Sequence, residues 1–351
     1  MNPETLMQGF KENPHESASL ICRARNAFWM APLSGITDVC FRQLMDEMGA
    51  GVLISELVSA KGLIYNSGKT LRMIRIHPGP GTIAGVQLFG ESADDIIEAS
   101  LLVEEAGADF LDINLGCPVK KVVKKGCGAA LLRDPAHLER FLYKIKTNIS
   151  LPLTAKMRTG WDDNELTIHE CVRAAANAGC EWVAIHGRTR SQGYNGQADW
   201  DLIRHVKQHA YVPIIGNGDI RDNQKARARL SESHVDAVMI GRGALRNPWI
   251  FRECTGELEP CHVPDRIALI RRYLALLEPC YDVRHVLIYV RKLIIWISSG
   301  HPGSSTLRRK LFTLNNTPAV LALAEEFFAT VAHLPLPRFE GTEAFMMGGH
   351  G

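Results

Sequence analysis

The sequence predicts an α/β chain folded as a TIM (β/α)8 barrel, and three observations carry that expectation. Short apolar runs alternate with amphipathic stretches, eight times over, from about residue 27 to residue 250. No Gly-x-Gly-x-x-Gly follows the first run, so the signature of an open dinucleotide-binding sheet is missing. Polar residues gather just past the C-terminal ends of the apolar runs, where a barrel keeps its chemistry. The 351 residues suffice for one such barrel and a small second domain.

In chain order, the strands are read at 27–31, 52–55, 83–88, 110–114, 153–157, 182–186, 212–216 and 236–240. Thr37 reads as the N-cap of a helix over 38–48, Ser92 caps 93–106 and Asp134 caps 135–147. Gly49, Gly107 and Gly179 each stand where a helix closes before the next strand. The strand ends then carry, in turn, Pro32–Gly35, Gln87, Asn114 with Cys117, Lys156 with Arg158, His186 with Arg188, Asn217-Gly218-Asp219 and Gly241-Arg242-Gly243. A scatter of solvated loop residues would not repeat at seven strand ends in register.

Hydrophobic residues make up 46% of the chain and mean hydropathy is near zero, the balance of an ordinary protein with a sizeable core. No apolar run approaches a membrane span, and residues 1–19 have no hydrophobic segment of a signal peptide. Residues 1–26 are expected to be a poorly ordered extension. Nine scattered cysteines without a Cys-x-x-Cys pair fit reduced thiols in a cytoplasm and argue against a disulfide framework or a zinc site. Net charge is only +2, but its distribution is uneven. From 262 to 318 there are nine Lys and Arg against three acids, whereas 1–261 holds 30 basic and 31 acidic residues. A small basic region on a neutral body suits a polyanionic partner.

The stretch from Asp109 to Pro135 is the most telling. An apolar run stops at Asn114, and Gly116 and Pro118 fix Cys117 on a loop at the strand's mouth. Lys120, Lys121, Lys124 and Lys125 follow, then a second thiol, Cys127, between Gly126 and Gly128. Positive charge favours a thiolate at Cys117 and apolar burial favours a neutral proton donor; the residues alone leave both open. The glycine-rich loops at 216–219 and 240–243, each before a helical segment, can bring backbone N–H groups and Arg242 to a phosphate. Gln87, Lys156 and His186 project from interior strand ends and can hold a flat heteroaromatic ring, the lysine favouring negative charge on it. No other His or carboxylate stands at ligand spacing from His186, so no metal is expected.

These motifs together resemble the tRNA-dihydrouridine synthases. The likeness lies in Met30-Ala-Pro-Leu-Ser-Gly-Ile-Thr-Asp38 with Phe41-Arg42, Asp112-Ile-Asn-Leu-Gly-Cys-Pro118 and Lys156-Met-Arg-Thr-Gly-Trp161. Ile185-His-Gly-Arg-Thr-Arg190, Gly216-Asn-Gly-Asp219 and Met239-Ile-Gly-Arg-Gly243 continue it, in the family's order, over about residues 27–330. The resemblance implies an FMN-binding barrel over 27–255, a helical tRNA-binding domain over 262–332 and a flexible tail over 333–351. It implies FMN held by Pro32, Leu33 and Ser34 at one edge, by Gln87, Lys156 and His186 around the ring, and by Asn217, Gly218, Asp219, Gly241 and Arg242 at the ribityl and phosphate end. Cys117 matches the family's proton donor, and Asn114 and Arg188 match residues facing the target uracil. Cys127 matches no essential position. NADPH (or NADH) is the implied electron donor and tRNA the implied partner. Arg284 and Arg291, seven apart on an apolar-rich helix beside Lys292, are expected to grip RNA phosphates from one face. Two other readings stand beside this one: a flavin-dependent reductase of a free pyrimidine, which would not need residues 262–332, and a non-catalytic RNA-binding barrel.

Overall fold

The computed structural model describes residues 19–65, 68–77, 82–258, 265–335 and 337. Within them eight strands run parallel: β1 (Phe28–Met30), β2 (Val52–Ser59), β3 (Ile83–Phe89), β4 (Phe110–Leu115), β5 (Leu153–Arg158), β6 (Val183–His186), β7 (Ile214–Asn217) and β8 (Ala237–Ile240). Their order is β1-β8-β7-β6-β5-β4-β3-β2. The Gly51 N–H donates to Phe28 O at 2.8 Å, so β2 returns to β1 and the ring is nearly closed. Gly51 is required there, because a Cβ would stand 2.3 Å from Asn26 O. Each predicted strand overlaps an observed one.

Helices follow the strands on the outside. Ser92 accepts from Asp95 N and Asp134 from His137 N, as their sequence positions predict. The first cap is corrected by one residue: Asp38, not Thr37, accepts from Phe41 N at the start of Val39–Glu47. Thr37 is fully buried, and its hydroxyl is spent on the Leu33 backbone. Gly49, Gly107 and Gly179 have φ of +91°, +80° and +85°, the left-handed closing turn that glycine reaches without strain.

The barrel interior is filled by side chains rather than by solvent. Trp29, Phe110 and Trp182 meet at its centre, with ring centroids 5.0 Å (Trp29–Trp182) and 4.9 Å (Phe110–Trp182) apart. Leu20 joins this cluster from a short 3-10 turn, Leu20–Arg23. Residues 19–26, expected to be disordered with the rest of the N-terminal extension, are therefore tied down by one buried apolar side chain. The remainder of that extension and most of the predicted tail lie outside the described residues. After the barrel come the helices Arg266–Leu277, Val283–Ser298, Ser304–Leu311 and Thr317–Thr330. Tyr273 and Trp296 from this segment both meet Phe41 of the first barrel helix edge to face. Among the described residues no helix is long and apolar enough to cross a membrane.

Packing is tight between β3 and β4, where a Cβ on Gly85 would stand 2.3 Å from the Phe110 ring. Gly85→Ala is expected to destabilise the protein by about 1–3 kcal/mol through overpacking. A denaturant midpoint shifted down at unchanged slope is the measurement.

Candidate active site

Strand register assembles the site. In the β-ladder Asn114 lies opposite Lys156, Arg158 opposite His186, and His186 opposite Asn217. One cavity at the C-terminal mouth is lined by Pro32, Leu33, Lys156, His186, Asn217, Gly218, Asp219, Gly241 and Arg242, all predicted, with Tyr194, Arg221 and Arg246 besides. Lys156 Nζ donates to Asn217 Oδ1 at 3.0 Å, and Asn217 Nδ2 donates to Met239 O at 2.9 Å. Burial, helped by Arg158, lowers the Lys156 ammonium to about 8 against the opposing pull of Asp112. Burial, then Arg158, Lys156, Arg188 and Arg242, push His186 well below its usual value, so the ring is neutral. Arg188 Nη1 lies 3.2 Å from His186 Nε2, and since a guanidinium only donates, Nε2 accepts and Nδ1 carries the hydrogen.

Asp219 anchors the cationic side. Its carboxylate accepts from Arg188 at 2.8 Å, Arg242 at 3.4 Å and Ala198 N at 2.8 Å, which holds the residue at a left-handed φ of 50°. Gly218, at φ +134°, leaves no room for a Cβ, which would meet Ala198 Cβ at 2.4 Å. Arg188 is itself 2% exposed and also donates to Asn195 O and Gly196 O. The residue expected to face a substrate thus also has protein partners, through which it orders the loop after β6. That loop brings in Tyr194, which sequence reasoning missed. Its ring lies under Arg242 at 5.1 Å and near Arg158 at 5.7 Å. An aromatic between Gly193 and Gly196, both left-handed, was the available signal.

Cys117 follows the end of β4, the strand beside the one that carries Lys156, and does not line this cavity. Asn114 Oδ1 accepts from Cys117 N at 2.9 Å, and Asn114 Nδ2 donates to Gln87 Oε1 at 2.8 Å. Gln87 Nε2 donates in turn to Asp112 Oδ2 at 2.7 Å, and Thr154 Oγ1 to Asp112 Oδ1 at 2.6 Å. Gln87 and Asn114 therefore brace the cysteine loop from inside, and Gln87 lies behind the cavity wall. Burial raises the Asp112 carboxyl to about 6 against the opposing pull of these two hydrogen bonds. From the other side Arg158 Nε donates to Gly116 O at 2.9 Å. Gly128, at φ +61°, packs so closely that a Cβ would come within 3.0 Å of Cys117 O. Burial raises the Cys117 thiol more than Arg158 lowers it, so it is a neutral S–H. Cys127 is buried, its thiol 3.6 Å from Lys125 O. Lys120, Lys121, Lys124 and Lys125 are exposed.

A second opening, a groove of about 1,130 Å³, lies between the loop after β1 and the helix Val283–Ser298. Ser34 lines this groove rather than the smaller cavity, together with Arg291 and Lys292. The predicted pair divides: Arg291 forms groove wall and donates to Leu314 O, whereas Arg284 is exposed and outside the lining. Lys292 Nζ reaches across to Gly35 O at 3.2 Å. Among the described residues no group of three or more His, Cys, Asp or Glu is arranged to hold a metal ion.

The residues present fit the FMN that the motifs imply. Three arginines (Arg221, Arg242 and Arg246) and the glycine loops, which suit a phosphate, line the same cavity as Lys156 and neutral His186, which suit the edge of a flat ring. Fold and cavity together define a (β/α)8-barrel enzyme with a cationic pocket at its C-terminal mouth. The family described as "Dihydrouridine synthase (Dus)" matches residues 29–332. The chain is 39% identical over 312 residues to tRNA-dihydrouridine synthase B of Pseudomonas putida, covering 87% of this chain and 92% of that protein. It is 38% identical over 318 residues to tRNA-dihydrouridine synthase B of Escherichia coli, covering 88% and 98%. Among solved structures, histamine dehydrogenase from Rhizobium sp. 4-9 superposes with a TM-score of 0.54 at 14% identity, over 72% of this chain and 49% of that one. That likeness shows the barrel alone, and the chain spans about half the length of that structure. The chain belongs to the dihydrouridine synthase family. It is an oxidoreductase of the kind that forms dihydrouridine in tRNA.

The lowered Lys156 value has a thermodynamic consequence. Between about 8 and the ordinary 10.5 the unfolded chain binds a proton that the folded chain does not, so the lysine makes the unliganded protein more stable as pH rises through that window. Lys156→Met should remove this dependence, flattening the difference from wild type by up to about 1.4 kcal/mol per pH unit. Urea titrations of both proteins at pH 8 and 10 measure it.

Proposed function

We propose that the protein reduces the C5–C6 bond of specific uridines in tRNA to 5,6-dihydrouridine, with FMN bound in the cavity and NADPH (or NADH) as electron donor. The observation that carries this reading is a neutral, loop-fixed thiol after the strand next to the one that brings Lys156 to a cationic pocket, which that lysine walls with His186. Pro32 and Leu33 would border one edge of the cofactor, with Gln87 supporting from behind and Ser34 turned to the adjoining groove. Gly218, Gly241 and Arg242 would take the ribityl and phosphate end, with Asn217 and Asp219 holding Lys156 and the arginines in place.

Bound and reduced, FMN supplies the hydride that uracil needs at C6. The chain's own task is the proton. Cys117 would give its S–H proton to C5 from the opposite side of the base, and a thiol kept neutral by burial holds that proton until it is needed. Asn114 keeps the Cys117 backbone in place through Cys117 N, and Arg158 does the same through Gly116 O. Arg188, paired with Asp219, also orders the Tyr194 loop on this reading. The lysine charge at the cavity floor favours an electron-rich ring.

Extracting a uridine from its stack costs a few kcal/mol, which binding elsewhere on the tRNA must offset. The basic segment 262–332 would supply that binding through phosphate contacts, with Arg284 exposed and Arg291 in the groove wall. The eight cysteines among the described residues are free, which supports work in a reducing cytoplasm.

The purified protein should be yellow and release FMN on denaturation, and Cys117→Ala should keep the flavin while losing dihydrouridine formation by at least about a hundredfold. Turnover within a few-fold of wild type in that variant would place the acid elsewhere. Arg284→Glu with Arg291→Glu should weaken tRNA binding about tenfold or more, flatten its salt dependence and leave flavin reduction by NADPH untouched. Uridine monophosphate reduced as efficiently as tRNA would remove the tRNA assignment.

A further inference from the structure

The groove beside the flavin cavity is built on its barrel side from acids. β2 breaks register against β3 between Ile54 and Leu57, a bulge of the kind that re-aims a side chain next to an active site, and Glu56 within it lines the groove. Glu56 is 8% exposed, and the Gly35 N–H occupies only its Oε2. Next to it Asp38 is 3% exposed, with Oδ1 taken by Phe41 N. The Tyr281 hydroxyl faces Asp38, yet Oδ2 receives no hydrogen bond of good geometry. Glu56, at the wall of an open groove, therefore has acceptor capacity to spare, with the Asp38 carboxyl buried behind it. The opposite wall is aromatic and basic. Tyr281 and Tyr289 lie with ring centroids 5.0 Å apart, Lys292 Nζ lies over the Tyr289 ring at 5.5 Å, and Arg291 and the 62% exposed Phe312 line the same groove. Arg246 lines both this groove and the flavin cavity, so the two openings adjoin.

We infer that the groove is a second base pocket, which holds a nucleotide close to the reduced uridine and selects a base with an exocyclic amino group. This rests on the tRNA reading above. The base would stack on the tyrosine and phenylalanine rings, a contact every base can make. Its amino group would donate to Glu56, with Asp38 behind, and its phosphate would meet Arg291 and Lys292. Adenine, cytosine and guanine carry such a donor, on N6, N4 and N2 respectively. Uracil instead flanks its one N–H with two carbonyl oxygens, which would face the carboxylates with like partial charge. The flavin cavity and this groove would thus read two different bases of one loop, one by chemistry and one by charge.

Two measurements on the FMN-loaded enzyme test this. In calorimetric titrations with nucleoside monophosphates, GMP, AMP and CMP should bind about fivefold or more tightly than UMP, and Glu56→Gln should abolish the difference. Equal affinities for all four in the wild type would overturn the inference. With tRNA as substrate, Glu56→Gln should raise KM about tenfold, leave kcat within about twofold and leave the rate of flavin reduction by NADPH unchanged. The exposed Phe312→Ala, which no buried partner depends on for folding, should raise KM in the same way. KM within about twofold of wild type in both variants would overturn the pocket alone. A wild-type enzyme that forms no dihydrouridine in any tRNA would instead overturn the flavin-site reading.

Discussion

The site depends on the hydrogen-bonded register of a parallel strand ring. Side chains alternate faces along a strand, so a slip of one residue would send every inward group outward. With β4, β5, β6 and β7 in their observed register, Asn114 and Lys156 share one level, and Arg158, His186 and Asn217 share the next. Nothing local forces these side chains together; they come from strands about 30 to 40 residues apart. The apolar interior around Trp29, Phe110 and Trp182 is what fixes the level, because those rings admit one arrangement of the strands that carry them.

That arrangement concentrates positive charge at the mouth. Arg188 and Arg242 both pair with one acid, Asp219, while burial pushes Asp112 towards its neutral form. Burial first, and neighbouring cations after it, lower Lys156 and His186 and, to about 10, Arg158. A folded protein tolerates such an imbalance where a bound anion completes it. Arg188 is tied into the framework by its carboxylate partner and two carbonyl acceptors.

What the sequence made legible was whatever depends on neighbours in the chain. Apolar runs closed by polar residues located all eight strands, and Ser92 and Asp134 announced their helices. The errors have one cause, competition settled by distant parts of the fold. Thr37 and Asp38 are equally good caps by type, and only the Leu33 backbone decides that Thr37 is occupied elsewhere. That Arg188 at its strand end also pairs with Asp219, 31 residues later, was equally hidden. Ser34 sits one residue beyond Leu33 in sequence, yet the chain turns there and the serine faces the other opening. Leu20 carries no local signal that it reaches the barrel core. The bulge at Glu56 is equally silent, since it exists only as a mismatch between β2 and β3.

The C-terminal helices are set apart by sequence and joined by packing. Charge changes sign near residue 262, which is how the segment was recognised, but the hydrophobic core crosses that boundary without a break. Cys40 Sγ meets Leu276 O at 3.2 Å, Arg272 pairs with Glu47, and Phe41 lies between Tyr273 and Trp296. The contact reaches the mouth as well. Gly35 is held from the barrel by Glu56, through its N–H, and from the helices by Lys292, through its carbonyl. Leu33, two residues earlier in the same loop, is the nearest side chain to Gly241 in the wall of the smaller cavity. A loop pinned from both sides cannot shift with one partner alone, so the position of the helices is part of what shapes the cavity. The basic segment is therefore packed on the same core as the strands that carry the thiol and the lysine.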